Sequence, residues 1–224
     1  AVDLRRRAHL ISSLRRVVER GELRLVFQPQ QVLADGRIDA VEALLRWDSP
    51  EHGSIQPDQF IPLAEDCGAI LPISEWVLQE ACRTLAAWQR AGVSTQLSVS
   101  VNVSALQFLR SDLTQTVHAA LTQSHLPPSA LELELTESVL MANADVATER
   151  LQAFREMGVS IAVDDFGTGY SSLAYLHRLP INTLKIDKAF VDGLQLSGDS
   201  EDTTITTTII AMARSLGLLV VAEG

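Results

Sequence analysis

The chain has 224 residues, 46% of them hydrophobic and 21% charged, and its 18 basic against 28 acidic side chains leave a formal net charge of −10. A chain of this length buries enough surface to fold without a disulfide or a structural metal, and its composition excludes disordered, collagenous and coiled-coil classes. The acidity argues against a surface built for DNA or RNA polymers.

Residues 4–20 bring Leu10, Leu14, Val17 and Val18 to helical spacing ahead of Gly21, a natural helix stop. Arg5, Arg6, Arg7, Arg15, Arg16 and Arg20 decorate the segment, which reads as a solvated linker helix over 1–22 leading in from a preceding domain. The chain opens on Ala rather than Met, as a piece of a longer protein does, and no apolar signal core follows. From Leu23 onward strand-like segments at 23–31, 37–47, 97–104, 131–136, 159–165, 183–189 and 218–223 alternate with helix-like ones. The helices fall at 58–67, 72–91, 112–124, 144–157, a short one from Ser171, and 201–216. Asp35-Gly36 signals a hairpin, so the first two strands pair antiparallel. The β-α rhythm that follows implies parallel strands covered by helices, one domain over 23–224. The longest uncharged stretch, 91–109, is too polar for a membrane span. Cys67 and Cys82 stand in no redox or metal spacing and read as buried thiols of a reducing compartment. A cytoplasmic module is expected, whether or not its parent protein is membrane-attached.

Alternation within the strands chooses the architecture. Ser98, Ser100, Asn102 and Ser104 oppose Val99, Val101 and Val103; Glu132 and Glu134 oppose Leu131, Leu133 and Leu135; Thr183, Lys185 and Asp187 oppose Leu184 and Ile186. With helices covering the outside, the polar face must look into a centre that tolerates charge. This selects an α/β, TIM-like (β/α)8 barrel over an open doubly wound sheet. Such a barrel takes eight strands and about 250 residues; the sequence stops at Val221-Ala222-Glu223-Gly224 after the seventh, so the last strand and helix are expected to lie outside it.

Strand after strand finishes in a carboxylate, an amide or a lysine: Glu42, Asn102, Glu134 and Glu137, Asp164 and Asp165, Lys185 and Asp187, then Glu223. Like charges roughly 4 Å apart repel by about 4 kcal/mol at an effective dielectric of about 20, and one lysine cannot offset so many acids. Bound cations must, and oxygen-only ligands select Mg²⁺ or Mn²⁺ over zinc. The adjacent Asp164-Asp165 pair suits a carboxylate bridging two ions, an arrangement fitted to hydrolysis of a phosphoester. Lys185 would add positive charge at the attacking water or transition state. Glu137 and Asp187 suit helix capping equally well. His9, His52, His118, His125 and His177 form no ligand spacing, and Trp47, Trp76 and Trp88 read as core anchors.

Taken together, Phe27-Gln28-Pro29, Val41-Glu42-Ala43-Leu44-Leu45-Arg46-Trp47, Phe60-Ile61-Pro62-Leu63-Ala64-Glu65, Val101-Asn102-Val103-Ser104, Glu134-Leu135-Thr136-Glu137, Asp164 through Ser172, Leu184-Lys185-Ile186-Asp187 and Ala222-Glu223-Gly224 resemble the EAL domain, the bacterial phosphodiesterase module for cyclic di-GMP. The resemblance runs in order from about residue 20 to the end. It implies a barrel with an antiparallel first strand, two Mg²⁺ or Mn²⁺ ions, and hydrolysis of cyclic di-GMP to linear pGpG. By position it makes Glu42, Asn102, Glu134 and Asp164 ligands of one ion and Asp164, Asp165 and Glu223 ligands of the other. Glu223 matches the general base and Lys185 the lysine holding the attacking water. Gln28, Leu45 and Arg46 fall where the family contacts its substrate, and Glu137 matches the glutamate steadying the loop after Asp165. A homodimer and an upstream sensor or diguanylate-cyclase-like domain are implied as well. The family pattern continues past Glu-Gly into a further motif and strand that this sequence does not contain. The alternatives are a receptor that holds cyclic di-GMP uncut and a protein-interaction module. A barrel of the enolase kind is disfavoured, because it would need a capping domain for which the chain has no room.

Overall fold

Apolar side chains recurring at helical or alternating spacing decide which segments form helices and which form strands, and a computed structural model describes residues 2–110, 112–167, 176–193 and 201–223. These divide into two units, Ala1–Leu131 and Glu132–Gly224.

The first unit begins with α1 (Val2–Leu14), which buries Leu10 and Leu14. The helix stops six residues short of the expected end because Arg16 and Val17 bond back three residues, to Ser13 and Leu14. Val17 stays buried, so the apolar spacing that suggests more helix is met by tighter turns. β1 (Leu23–Gln31) and β2 (Ile38–Ser49) pair antiparallel, as the Asp35-Gly36 signal predicts. Gly36 takes a φ of +75°, and Asp35 Oδ1 accepts the Arg37 N–H at 3.1 Å, the self-bonded turn that Asp favours. A short β3 (Gly53–Ile55), not foreseen in the sequence, pairs antiparallel with β2.

α2 (Pro57–Cys67) starts on the proline that suits a first helical position, and an Arg7–Asp66 ion pair of 2.6 Å ties it to α1. α3 (Ile70–Arg90) buries Ile73, Val77, Leu78, Ala81, Cys82 and Leu85 along one stripe. β4 (Ser98–Asn102) lies parallel to β2, followed by a further unforeseen helix, α4 (Ala105–Arg110), and by α5 (Leu113–Ser124). The core here centres on Trp47, set edge-to-face on Phe60 at 5.6 Å, with its indole N–H donating to the buried Glu22 at 2.9 Å.

In the second unit β5 (Leu131–Thr136) runs straight into α6 (Glu137–Ala142), and α7 (Ala144–Met157) follows. β6 (Ser160–Phe166), β7 (Thr183–Ile186) and β8 (Leu219–Ala222) complete a parallel β5-β6-β7-β8 sheet backed by α8 (Lys188–Gly193) and α9 (Glu201–Ser215). Leu131, Leu133, Leu135, Ile161, Val163, Leu184 and Ile186 form its apolar layer. The strand expected over 183–189 ends at Ile186, because Asp187 Oδ1 accepts the Ala189 N–H at 2.7 Å and starts α8. The short helix expected from Ser171, with Thr168, Gly169, Tyr170 and Ser172, lies outside the described residues.

Candidate active site

The parallel register of the second unit determines which polar side chains meet. Ala162 pairs with Glu134 on one side and Thr183 on the other. Its small side chain leaves room for residues of β5 and β7 to join across β6. Thr183 Oγ1 donates to Glu132 Oε2 at 2.7 Å, and one layer further along the strands Lys185 Nζ donates to Glu134 Oε2 at 2.8 Å. The sequence places these four on the polar face but assigns no role to Glu132 or Thr183; their spacing, two residues before Glu134 and Lys185, was the available signal.

Lys185 is only 1% exposed, and its ammonium also lies 2.6 Å from Glu223 Oε1 and 3.5 Å from Asp164 Oδ1. A buried ammonium costs several kcal/mol unless it is paired, so these contacts keep the lysine charged. They also leave more negative than positive charge in one place.

Regular alternation would send Asp164 and Asp165 to opposite faces. Instead the β6–β7 register shifts between Val163 and Phe166, and Asp165 takes a left-handed φ of +53°, a conformation Asp tolerates better than most residues. Its N–H donates to Asp164 Oδ1 at 3.0 Å. Burial pushes the Asp165 carboxyl above its ordinary range, and the charges of Asp164 and Asp187 and a hydrogen bond with Asp187 push the same way against the opposing pull of Lys185. Asp187 thus faces Asp165 while starting α8. Glu137, 3% exposed, accepts the Gly167 N–H at 3.2 Å. Gly167 itself has a φ of +103°, and a Cβ there would stand 2.9 Å from Phe190 Cε2. No side-chain-bearing residue fits that backbone and that neighbour without strain.

In the first unit, Glu42 sits opposite Gln28 in the β1–β2 register and beside Ser100 of β4. Asn102 Nδ2 donates to Glu42 Oε1 at 2.8 Å. Arg46 shares the face of Glu42 by alternation, and its Nη1 donates to the Leu45 carbonyl at 2.8 Å. The Leu45 side chain falls on the other face.

The donor chemistry fits a hard divalent cation. Glu42 and Asn102 in one unit and Glu134, Asp164, Asp165 and Glu223 in the other offer oxygen alone, and the carboxylates around Lys185 carry surplus negative charge. Among the described residues, no three His, Cys, Asp or Glu side chains are already disposed around a common point as ligands. In the second unit the Lys185 ammonium stands between them. No helix among the described residues is long and apolar enough to cross a membrane.

A family model described as the EAL domain matches residues 11–224. The chain is 48% identical over 215 residues to the bifunctional diguanylate cyclase/cyclic di-GMP phosphodiesterase MucR of Pseudomonas aeruginosa, a match covering 96% of this chain and 31% of MucR. It is 46% identical over 211 residues to the cyclic di-GMP phosphodiesterase NbdA of the same organism, covering 94% of this chain and 27% of NbdA. The chain therefore spans less than a third of either relative. A solved structure of the PaMucR phosphodiesterase in a c-di-GMP complex superposes with a TM-score of 0.91 at 48% identity, over 96% of this chain and 86% of that one. The α/β fold expected from the strand pattern is the fold of that structure.

Proposed function

The chain belongs to the EAL domain family, and on that premise we propose that it hydrolyses one phosphodiester of cyclic di-GMP to give linear pGpG. The observation that carries this reading is the buried Lys185 ammonium held by Glu134, Glu223 and Asp164 at 2.6–3.5 Å. A purely structural lysine needs one partner, and a protein without anionic chemistry gains nothing by crowding carboxylates where they repel.

Glu42, Asn102, Glu134, Asp164, Asp165 and Glu223 would hold two Mg²⁺ or Mn²⁺ ions. When bound, such ions polarise the phosphodiester and make water a stronger nucleophile. Glu223, half-exposed at the end of β8, accepts the proton of the attacking water. Lys185 orients that water and offsets the negative charge that builds on the phosphate oxygens. Arg46 and Gln28 bind the dinucleotide's polar groups, whereas Leu45, which the sequence also offered as a substrate contact, turns to the opposite face of β2 by alternation and takes no part. Glu137 holds the chain after Asp165 through the Gly167 N–H, and Asp187 fixes the side chain of Asp165. The same family reading puts residues 1–22 as the connection to an upstream sensor or diguanylate-cyclase-like domain, 23–224 as the hydrolytic domain, a homodimer as the assembly and the cytoplasm as its place of action.

Incubation with cyclic di-GMP and Mg²⁺ or Mn²⁺, followed by chromatography, tests the proposal. Linear pGpG should form with the natural chain and fall by orders of magnitude in Glu42→Ala. Tight binding of intact cyclic di-GMP with no product would favour the receptor reading instead.

A further inference from the structure

Lys185 has a second property that catalysis does not require. Its ammonium reaches three carboxylates, Glu134 Oε2 at 2.8 Å, Glu223 Oε1 at 2.6 Å and Asp164 Oδ1 at 3.5 Å, while its side chain is 1% exposed. Glu134 lies in β5, Asp164 in β6, and Glu223 directly after the end of β8. A cation that joins them without Lys185 would have to satisfy the same oxygens.

We propose that Lys185 is the resident counter-ion of the metal-free site and sets its affinity for divalent ions, each ion entering in exchange for ammonium contacts to Glu134 and Glu223. The inference rests on the phosphodiesterase reading only for the identity of the ion. Its physical content is competition. Carboxylates this close repel one another and would splay apart or take up protons if nothing neutralised them. Lys185 holds them together in the metal-free protein, so the strands stay in register while the site waits for its ions. The same contacts then oppose the incoming ion, either because they must break or because two cations must share one pocket. A single positive charge such as Na⁺ offers no gain over the ammonium already present; a double charge does. Lys185 thereby biases the site toward divalent cations as well as serving the reaction.

This predicts an outcome opposite to that of a merely structural lysine. Removing the charge should weaken the metal-free protein and tighten metal binding. Titration calorimetry with MnCl₂, without nucleotide and at a pH well above the carboxylate range, should show Lys185→Gln binding Mn²⁺ about tenfold tighter or more than the natural chain, a difference of about 1.4 kcal/mol. Lys185→Arg, which keeps the charge, should bind no tighter than the natural chain. Thermal denaturation supplies the second reading: Lys185→Gln should melt below the natural chain in EDTA and regain most of the deficit in Mn²⁺. If Lys185→Gln is unfolded in EDTA, Mn²⁺ should restore its cooperative transition.

Equal or weaker Mn²⁺ binding by a folded Lys185→Gln overturns the inference, as does a melting deficit that Mn²⁺ leaves in place. Absence of Mn²⁺ binding in both natural chain and variants overturns it too. The outcome is separable from the proposed activity. A natural chain that makes pGpG, with a Lys185→Gln variant no tighter for Mn²⁺, leaves the phosphodiesterase standing and removes the counter-ion role. Tighter Mn²⁺ binding by Lys185→Gln in a chain that never makes pGpG does the reverse.

Discussion

Gly167→Ala is the most informative single-methyl change available. At a φ of +103°, alanine strains its own backbone, a cost of about 1–2 kcal/mol. The added methyl would also lie 2.9 Å from Phe190 Cε2 and 3.2 Å from Phe190 Cζ, closer than van der Waals contact allows. Overpacking of this kind adds about 1–3 kcal/mol. The two together predict a loss of about 2–5 kcal/mol in urea denaturation followed by tryptophan fluorescence. The two parts can be told apart, because only the second depends on Phe190. In a Phe190→Leu background the alanine should cost at least about 1 kcal/mol less, leaving the backbone part. Displacement of the Gly167 N–H from Glu137 Oε2 should also lower kcat, since the chain after Asp165 would lose an anchor. A cost below about 0.5 kcal/mol would refute the packing argument, and an unchanged cost in the Phe190→Leu background would refute the assignment of the clash.

Asp165→Asn should remove hydrolysis yet raise stability near neutral pH. The Asp165 carboxyl is raised in the folded state by burial and by Asp164 and Asp187, so its protonated form stabilises the fold in acid and that contribution is lost as pH rises through the folded value; the gain from Asn should therefore vanish in acidic urea titrations, and a gain that persists there contradicts the sign. Burial lifts the Cys82 thiol from 9.0 to about 11, so stability should decline between those two values as the unfolded chain ionises first, by up to about 2.7 kcal/mol. Comparing alkaline denaturation of the natural chain with Cys82→Ala checks this, and parallel pH profiles would dismiss it. Trp47→Phe leaves the buried Glu22 carboxylate without its indole donor and should cost about 1–3 kcal/mol by the same denaturation assay; a neutral change would mean that Arg20, 3.6 Å from Glu22, suffices.

What the sequence reveals, and where it stops, follows from how local each signal is. β5 and α7 match their expected bounds because alternation and apolar helical spacing are complete within each segment. α6 escapes notice because Glu137 begins a helix directly after the strand, with no polar loop to mark the change. β7 is read too long because Thr183 to Asp187 alternate without interruption, whereas Asp187 is already a helix cap. In the site, residue types are legible: oxygen donors at successive strand ends and one lysine. Their pairing is not. Lys185 reaches diagonally across β6 to Glu134, past the register row in which Ala162 stands between Glu134 and Thr183, and Asp165 turns toward Asp187 where β6 is irregular. Both depend on strand register, which is long-range in sequence and invisible in any single motif.

In the proposed reaction, water activated among Glu134, Asp164, Lys185 and Glu223 attacks a phosphodiester of cyclic di-GMP. Turnover in ¹⁸O-labelled water with Mn²⁺, read by mass spectrometry, tests this directly. Hydrolysis should give linear pGpG with one heavy oxygen on its terminal phosphate, and no such product from Glu134→Gln. Recovery of unlabelled, intact cyclic di-GMP from the natural chain would contradict it.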